Sequence, residues 1–167
     1  MNNAVLFGKV SDEWRTPKAT FDALNAEFGF DHDAAAAAEN SWVNYHYFGP
    51  DHHRSEQRDA LEVASWLPYG PVIWLNPPYS KCRQFMAKAT EEARKGCTVV
   101  CLVPSRTDTK WWHEHVWVGG APRPGVEVRF VKGRLKFGGR SASFKVTQKN
   151  SAPFPSVVII FRPLATV

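Results

Sequence analysis

The sequence lacks any apolar run near the roughly 20 residues needed to cross a bilayer. Its opening stretch, MNNAVLFGKVSDEW, shows no basic region followed by an apolar core and a small-residue cleavage site. No membrane partner is expected, and the protein is expected in the cytoplasm. Cysteine is scarce and odd in number: Cys82, Cys97 and Cys101, the last two four apart in the apolar run CTVVCLV, on one face if that run is a strand. Reduced core thiols are expected, rather than a disulfide or a zinc site. The histidines, His32, His46, His52, His53, His113 and His115, match no zinc spacing, so no metal is expected. Internal repeats are absent, and so is the glycine-rich phosphate loop of dinucleotide-binding folds. What is present, 44% hydrophobic and 13% aromatic residues, excludes a disordered chain.

Acids are also short where bases gather. The net charge is +5, with a pI near 9.2. Residues 123–149 hold Arg123, Arg129, Lys132, Arg134, Lys136, Arg140, Lys145 and Lys149 against the single acid Glu127. Such a segment suits a polyanionic partner, or is a solvated loop. At 167 residues the chain fits one domain, residues 1–167, with a basic loop and β appendage at about 119–155 as the candidate surface for such a partner. A monomer or weak dimer is expected.

Thr16 as N-cap, Pro17 at the first helical position, Phe21, Leu24 and Phe28 on one face and Gly29 at the end predict a helix from about Pro17 to Phe28. A short strand near Phe30 to Asp33 leads into five alanines that can open a second helix. WVNYHYF, residues 42–48, alternates like a strand with one buried face, and DALEVASW reads as helical. The strand YGPVIWL, the turn NPPY, a helix capped by Ser80 with Phe85, Met86, Ala89 and Ala93 inward, and the strand CTVVCLV make a βαβ unit. Its strands should be parallel in a sheet covered on both faces. After a short helix around Asp108 to Val116, VEVRFVKGRLKF and SVVIIF read as further, antiparallel strands. The fold class is therefore α/β, mostly parallel, in a compact single domain.

In open α/β sheets, ligands bind beyond the carboxyl ends of the strands. Two strands here end unusually, one in Asp33 and its alanines, the other in Asn76-Pro77-Pro78-Tyr79. Asn76 offers a side-chain carbonyl, and Pro77 a main-chain carbonyl with no N–H, so two rigid acceptors can meet one exocyclic amine. Accepting both amine hydrogens turns the nitrogen lone pair out of the ring system, toward an electrophile. Tyr79 adds an aromatic face, and base stacking of that kind is worth about 1–3 kcal/mol. Orientation and electrostatics suffice here without a titrating base. A strand-ending turn with a core tyrosine is the plainer reading.

NPPYS at 76–80 resembles the catalytic motif of S-adenosylmethionine-dependent amino-methyltransferases. With EWRTP, FGFDHDAAA, DAL and Trp66, WLNPPYS, LVPSRTDTKWW, GRLKF and APFPSVVIIF in order along most of the chain, it resembles more narrowly the bacteriophage-type DNA N-6-adenine methyltransferase (Dam) family. The resemblance implies a Rossmann-like methyltransferase sheet and S-adenosylmethionine as cofactor, with S-adenosylhomocysteine as product. It implies double-stranded DNA as partner and methylation of a flipped adenine at N6, at a short site such as the palindrome GATC. If phage-encoded, the enzyme would act in the host cytoplasm. Asn76, Pro77, Pro78 and Tyr79 would be catalytic. Thr16, Pro17, Asp33, Ala35, Asp59 and Asn76 would face the cofactor. The glycine-rich cofactor loop of many methyltransferases is absent, and the alanines after Asp33 supply close approach instead. Extruding an adenine costs a few kcal/mol, for which Arg134, Lys136 and Arg140 of the basic segment, and Arg106 beyond a strand end, are candidate DNA contacts.

Three other readings stand beside this one. Asn-Pro-Pro-Tyr also serves enzymes that methylate protein glutamine or RNA amines. A DNA-binding module without catalysis would use the basic segment alone. A metal-dependent nuclease would need a histidine spacing that is not here.

Overall fold

The computed structural model describes residues 15–136 and 152–165. Helix α1 (Lys18–Phe28) precedes β1 (His32–Asp33) and β2 (Val72–Leu75); α2 (Cys82–Arg94) leads to β3 (Thr98–Pro104) and α3 (Lys110–His115). Then follow β4 (Trp117–Val118), β5 (Ala121–Pro122), β6 (Val126–Phe130) and β7 (Ser156–Phe161). Five of the strands form one sheet of order β1-β2-β3-β7-β6, and β4 pairs with β5 in a small antiparallel ribbon. β1, β2 and β3 run parallel, with Val72 opposite Thr98 and Leu75 opposite Cys101. β7 runs antiparallel to β3, and β6 antiparallel to β7. The result is an α/β fold with a mixed sheet in a single compact domain.

Period-two alternation sorts the sheet side chains into two cores. Ile73, Leu75, Val99, Cys101, Val103, Val157, Ile159 and Phe161 point to the face covered by α2 and α3, where Phe85, Met86, Ala89, Ala93, Trp111 and Trp112 meet them. Trp74, Val100, Leu102, Val158 and Ile160 point to the other face, where Phe21 and Leu24 of α1 close the layer with Phe30. Trp74 lies edge-on to Phe21, their ring centres 5.4 Å apart. Burying a large apolar side chain contributes about 1.5–3 kcal/mol, and these two layers fix where the strands end. All three cysteines are buried, and none forms a disulfide.

Several elements differ from the sequence expectation. Pro17, with φ −56° and ψ 134°, occupies the cap position of α1, and no side chain caps that helix. Thr16 is not the N-cap, because its hydroxyl is bonded to Asn76. Gly29 ends the helix at φ 67°, the left-handed conformation a glycine adopts without a Cβ penalty. The alanine stretch is a loop: Ala35 N–H donates to Asp33 Oδ1, Ala37 N–H to Asn40 Oδ1 and Ala38 N–H to Asp51 Oδ2. Residues 42–48 are not a strand. They touch β1 through a single parallel bridge, Asp33 with Tyr47, and Asn44 at φ 50° breaks the alternation, leaving Tyr45 exposed.

DALEVASW is not helical either. The carbonyls of Val63 and Ala64 accept from Lys88 of α2 and from Lys95 just beyond its end, and Trp66 N–H donates to Glu92. Ser80 does not cap α2. A 3-10 turn, Tyr79–Lys81, runs directly into that helix, and Lys81 occupies its cap position.

Candidate active site

The carboxyl ends of β1 and β2 lie side by side, since Asp33 is in register with Trp74. Each strand therefore delivers its terminal residues into one crevice. Ala34 N–H donates to Trp74 O at 2.9 Å, and Ala36 N–H to Phe48 O at 3.0 Å, so the chain after β1 folds along the wall. The crevice is a cavity of about 410 Å³, a size that suits a cofactor or small substrate. Six of the residues expected from the sequence line it: Thr16, Asp33, Ala35, Asp59, Asn76 and Pro78. Pro17, Pro77 and Tyr79 do not line it. Pro77 is buried, and Tyr79 stands edge-on to Phe154, ring centres 5.2 Å apart.

Asn76 Nδ2 donates to Thr16 Oγ1 at 3.0 Å, joining the turn after β2 to the segment before α1, 60 residues apart. Thr16 O in turn accepts from Trp42 Nε1 at 3.2 Å, and the Arg15 guanidinium lies 4.0 Å over the Trp42 ring. Asp33 is fully buried, and burial pushes its carboxyl up to about 7 against the opposing pull of the Ala35 N–H and the Ser41 side chain. Burial, reinforced by the Cys82 thiol, raises the Tyr79 hydroxyl, which is neutral through the physiological range. That hydroxyl oxygen has no hydrogen-bond partner among the described residues. Burial, with His46 and His52 adding to it, holds His32 down to about 4. No histidine is among the residues lining the cavity.

Some contributors were not among the site residues named from the sequence. Arg15, Trp42 and Lys81 stand at the wall, as does Gly49, whose backbone passes so close to Ala36 that an added Cβ would sit 1.6 Å from the Ala36 carbonyl oxygen. Arg15 had a cue in the EWRTP segment, and Gly49 had one as a position where chains cross closely. Among the described residues no cluster of His, Cys, Asp and Glu could hold a metal ion, and no helix is long and apolar enough to cross a membrane.

The basic segment is less free than its composition suggests. Arg129 makes a two-pronged ion pair with Glu27 of α1, 2.7 Å at both contacts, and also pairs with Glu127. Arg123 donates to His113 O. Arg134 and Lys136 are exposed, the former within 3.4 Å of Ala152 O. Arg106 is exposed just beyond β3, at the same end of the sheet as Asn76. Arg140 lies outside the described residues.

Residues 4–166 match the family described as DNA N-6-adenine-methyltransferase (Dam). The chain is 32% identical over 106 residues to the DNA N-6-adenine-methyltransferase of Escherichia phage T1, a match that covers 63% of this chain and 41% of that protein. It is 27% identical over 158 residues to the protein of the same name from Haemophilus phage HP1, covering 92% of this chain and 80% of that protein. The matched chain thus spans well under half the length of the phage T1 relative.

Proposed function

Since the chain belongs to the DNA N-6-adenine-methyltransferase (Dam) family, we propose that it transfers a methyl group from S-adenosylmethionine to N6 of a flipped adenine in double-stranded DNA. The observation that carries this reading is the convergence of Asn76 and Asp33 on one cavity at the carboxyl ends of adjacent parallel strands. The sheet is read as Rossmann-like in this sense, its ligands lying beyond the strand ends.

The cavity has the chemistry for S-adenosylmethionine. Asp33, Asp51 and Asp59 suit a molecule that carries cationic and hydroxyl groups, Arg15 and Lys81 suit its carboxylate, and Trp42 and Phe48 suit its planar base. Bound there, the cofactor supplies an electrophilic methyl group. The chain's own residues do the rest. The Asn76 amide oxygen and the Pro77 carbonyl accept hydrogen bonds from the two N6 hydrogens, which turns the nitrogen lone pair out of conjugation; once N6 carries the methyl group and a positive charge, it releases one of those hydrogens as a proton to solvent. Tyr79, kept neutral by burial, gives the base an aromatic surface and takes no proton. The absence of histidine from the cavity lining agrees with catalysis by orientation.

Outside the crevice, Arg106, Arg134 and Lys136 are available for phosphates, contacts that position the duplex without reading its sequence. Arg140 completes this proposed set.

The test is incubation with methyl-labelled S-adenosylmethionine and unmethylated duplex DNA, followed by nucleoside mass spectrometry, beside Asn76→Ala. N6-methyladenine that disappears in the variant is expected. An unmodified duplex with cofactor binding intact would refute adenine as the substrate and direct the search to protein or RNA amines.

A further inference from the structure

A carboxamide has two chemically opposite ends, and only one of them suits an amine substrate. The oxygen accepts, while the NH2 group donates and would repel an exocyclic amine. An asparagine free to turn about its last side-chain bond presents either end. In this structure the NH2 end is engaged: one of its two hydrogens goes to Thr16 Oγ1, with Nδ2 3.0 Å away. Thr16 is only 3% exposed, so water competes poorly for that bond.

The holder is itself held. Thr16 O accepts from Trp42 Nε1 at 3.2 Å, and Pro17 follows with its φ fixed by the ring at −56°. The threonine hydroxyl is also not spent on the helix behind it, because α1 has no side-chain cap. Its partner, 60 residues away in sequence, is the turn that ends β2.

We propose that Thr16 is a positioning residue whose hydroxyl holds the NH2 end of the Asn76 carboxamide, so that the oxygen, buried at the turn in this structure, is the end presented to the substrate amine when the base enters. This assignment rests on the methyl-transfer reading above and goes beyond it in giving Thr16 a role other than contact with the cofactor. Thr16 does not touch the reacting atoms; it decides which end of Asn76 does. It thereby selects a hydrogen-bond donor, an amine, over a carbonyl at the same place.

The test uses Thr16→Val, which keeps the shape and removes the hydroxyl, beside Thr16→Ser, which keeps the hydroxyl. In the unliganded protein, the side-chain NH2 resonances of Asn76 should shift and exchange faster with solvent in Thr16→Val, and remain near their original positions in Thr16→Ser. In turnover, kcat should fall about tenfold in Thr16→Val, the equivalent of one net hydrogen bond. KM for S-adenosylmethionine should stay within about twofold, and Thr16→Ser should restore kcat. Thr16→Ala repeats the test without a second buried methyl group. Unmoved Asn76 side-chain resonances would overturn the assignment. So would a loss of activity carried wholly by KM for the cofactor. The resonance measurement needs no substrate, so a failure to methylate adenine would refute the proposed function while leaving the lock to stand or fall on the spectra.

Discussion

Glu92 is the most demanding residue of the scaffold, and its removal tests how the cavity wall is held. Its side chain is 0% exposed, and that of Lys88 is 9% exposed. Glu92 Oε1 lies 3.1 Å from Lys88 Nζ and 3.1 Å from Lys95 Nζ. Its Oε2 accepts from Trp66 N–H at 2.8 Å and from Ser65 Oγ at 3.3 Å. Lys88 also donates to Val63 O at 2.7 Å, so one helix face satisfies the backbone of a segment without regular structure. That segment follows Arg58, Asp59 and Ala60, which line the cavity.

Glu92→Gln keeps an acceptor for Trp66 but leaves the Lys88 charge buried without its closest counter-charge. Breaking a buried pair in this way costs about 3–5 kcal/mol. For a domain of this size each kcal/mol lowers the melting temperature by about 2–4 °C, so a drop of about 6–20 °C is expected. Lys88→Met should cost less, because Glu92 retains Lys95 and the Trp66 N–H. The double variant Lys88→Met, Glu92→Gln carries no buried charge at either position. It should be more stable than the sum of the single effects allows, by more than about 1 kcal/mol. Urea unfolding followed by tryptophan fluorescence, with the denaturant slope checked for constancy, measures all four corners. Effects that add to within about 0.5 kcal/mol would refute the buried-pair reasoning.

Asp33 gives a pH prediction. Its carboxyl rises from 3.8 to about 7 on burial, so the folded state binds more protons than the unfolded state between those values. The contribution to stability is complete below about pH 4 and is lost as the pH climbs through about 7. Asp33→Asn should flatten that part of the stability profile, and an unchanged slope would contradict the buried neutral carboxyl. Arg129 is committed to Glu27 and Glu127 at the surface, so Arg129→Ala should cost about 1 kcal/mol or less in stability and leave the salt dependence of DNA binding unaltered. Arg134→Ala should instead lower the salt slope by about one, measured by titration at several ionic strengths. Equal slopes for the two variants would remove Arg134 from the phosphate contacts. Gly49→Ala forces a Cβ against the Ala36 carbonyl and should cost about 1–3 kcal/mol together with weaker cofactor binding, seen by calorimetry.

Periodicity sufficed for the parts of the chain that satisfy their own backbone. α1 and α2 close their hydrogen bonds internally. β2, β3, β6 and β7 pair with one another, so apolar spacing and the Gly29 stop announced these elements. The NPPY turn was legible because two prolines leave the chain few conformations. Residues 34–48 and 59–66 were misread because side chains claim their backbone groups, by short-range contacts to Asp33 and Asn40 and a more distant one to Asp51 in the first stretch, and by Lys88, Glu92 and Lys95 in the second. Local pattern carries no record of such partners. The neutralisation of Arg129 by Glu27, 102 residues away, was hidden for the same reason.

The sequence by itself determined the α/β class, the parallel pairing around α2 and the chemical types at the two strand ends, because each follows from local spacing and the stereochemistry of proline and glycine. Tertiary structure alone decided that Thr16 serves Asn76 instead of its own helix, that alanines and an unstructured segment form a cavity wall, and which arginines remain free. Those outcomes depend on hydrogen bonds and charges brought together across the chain, and a donor takes its nearest partner in space whatever their separation in sequence.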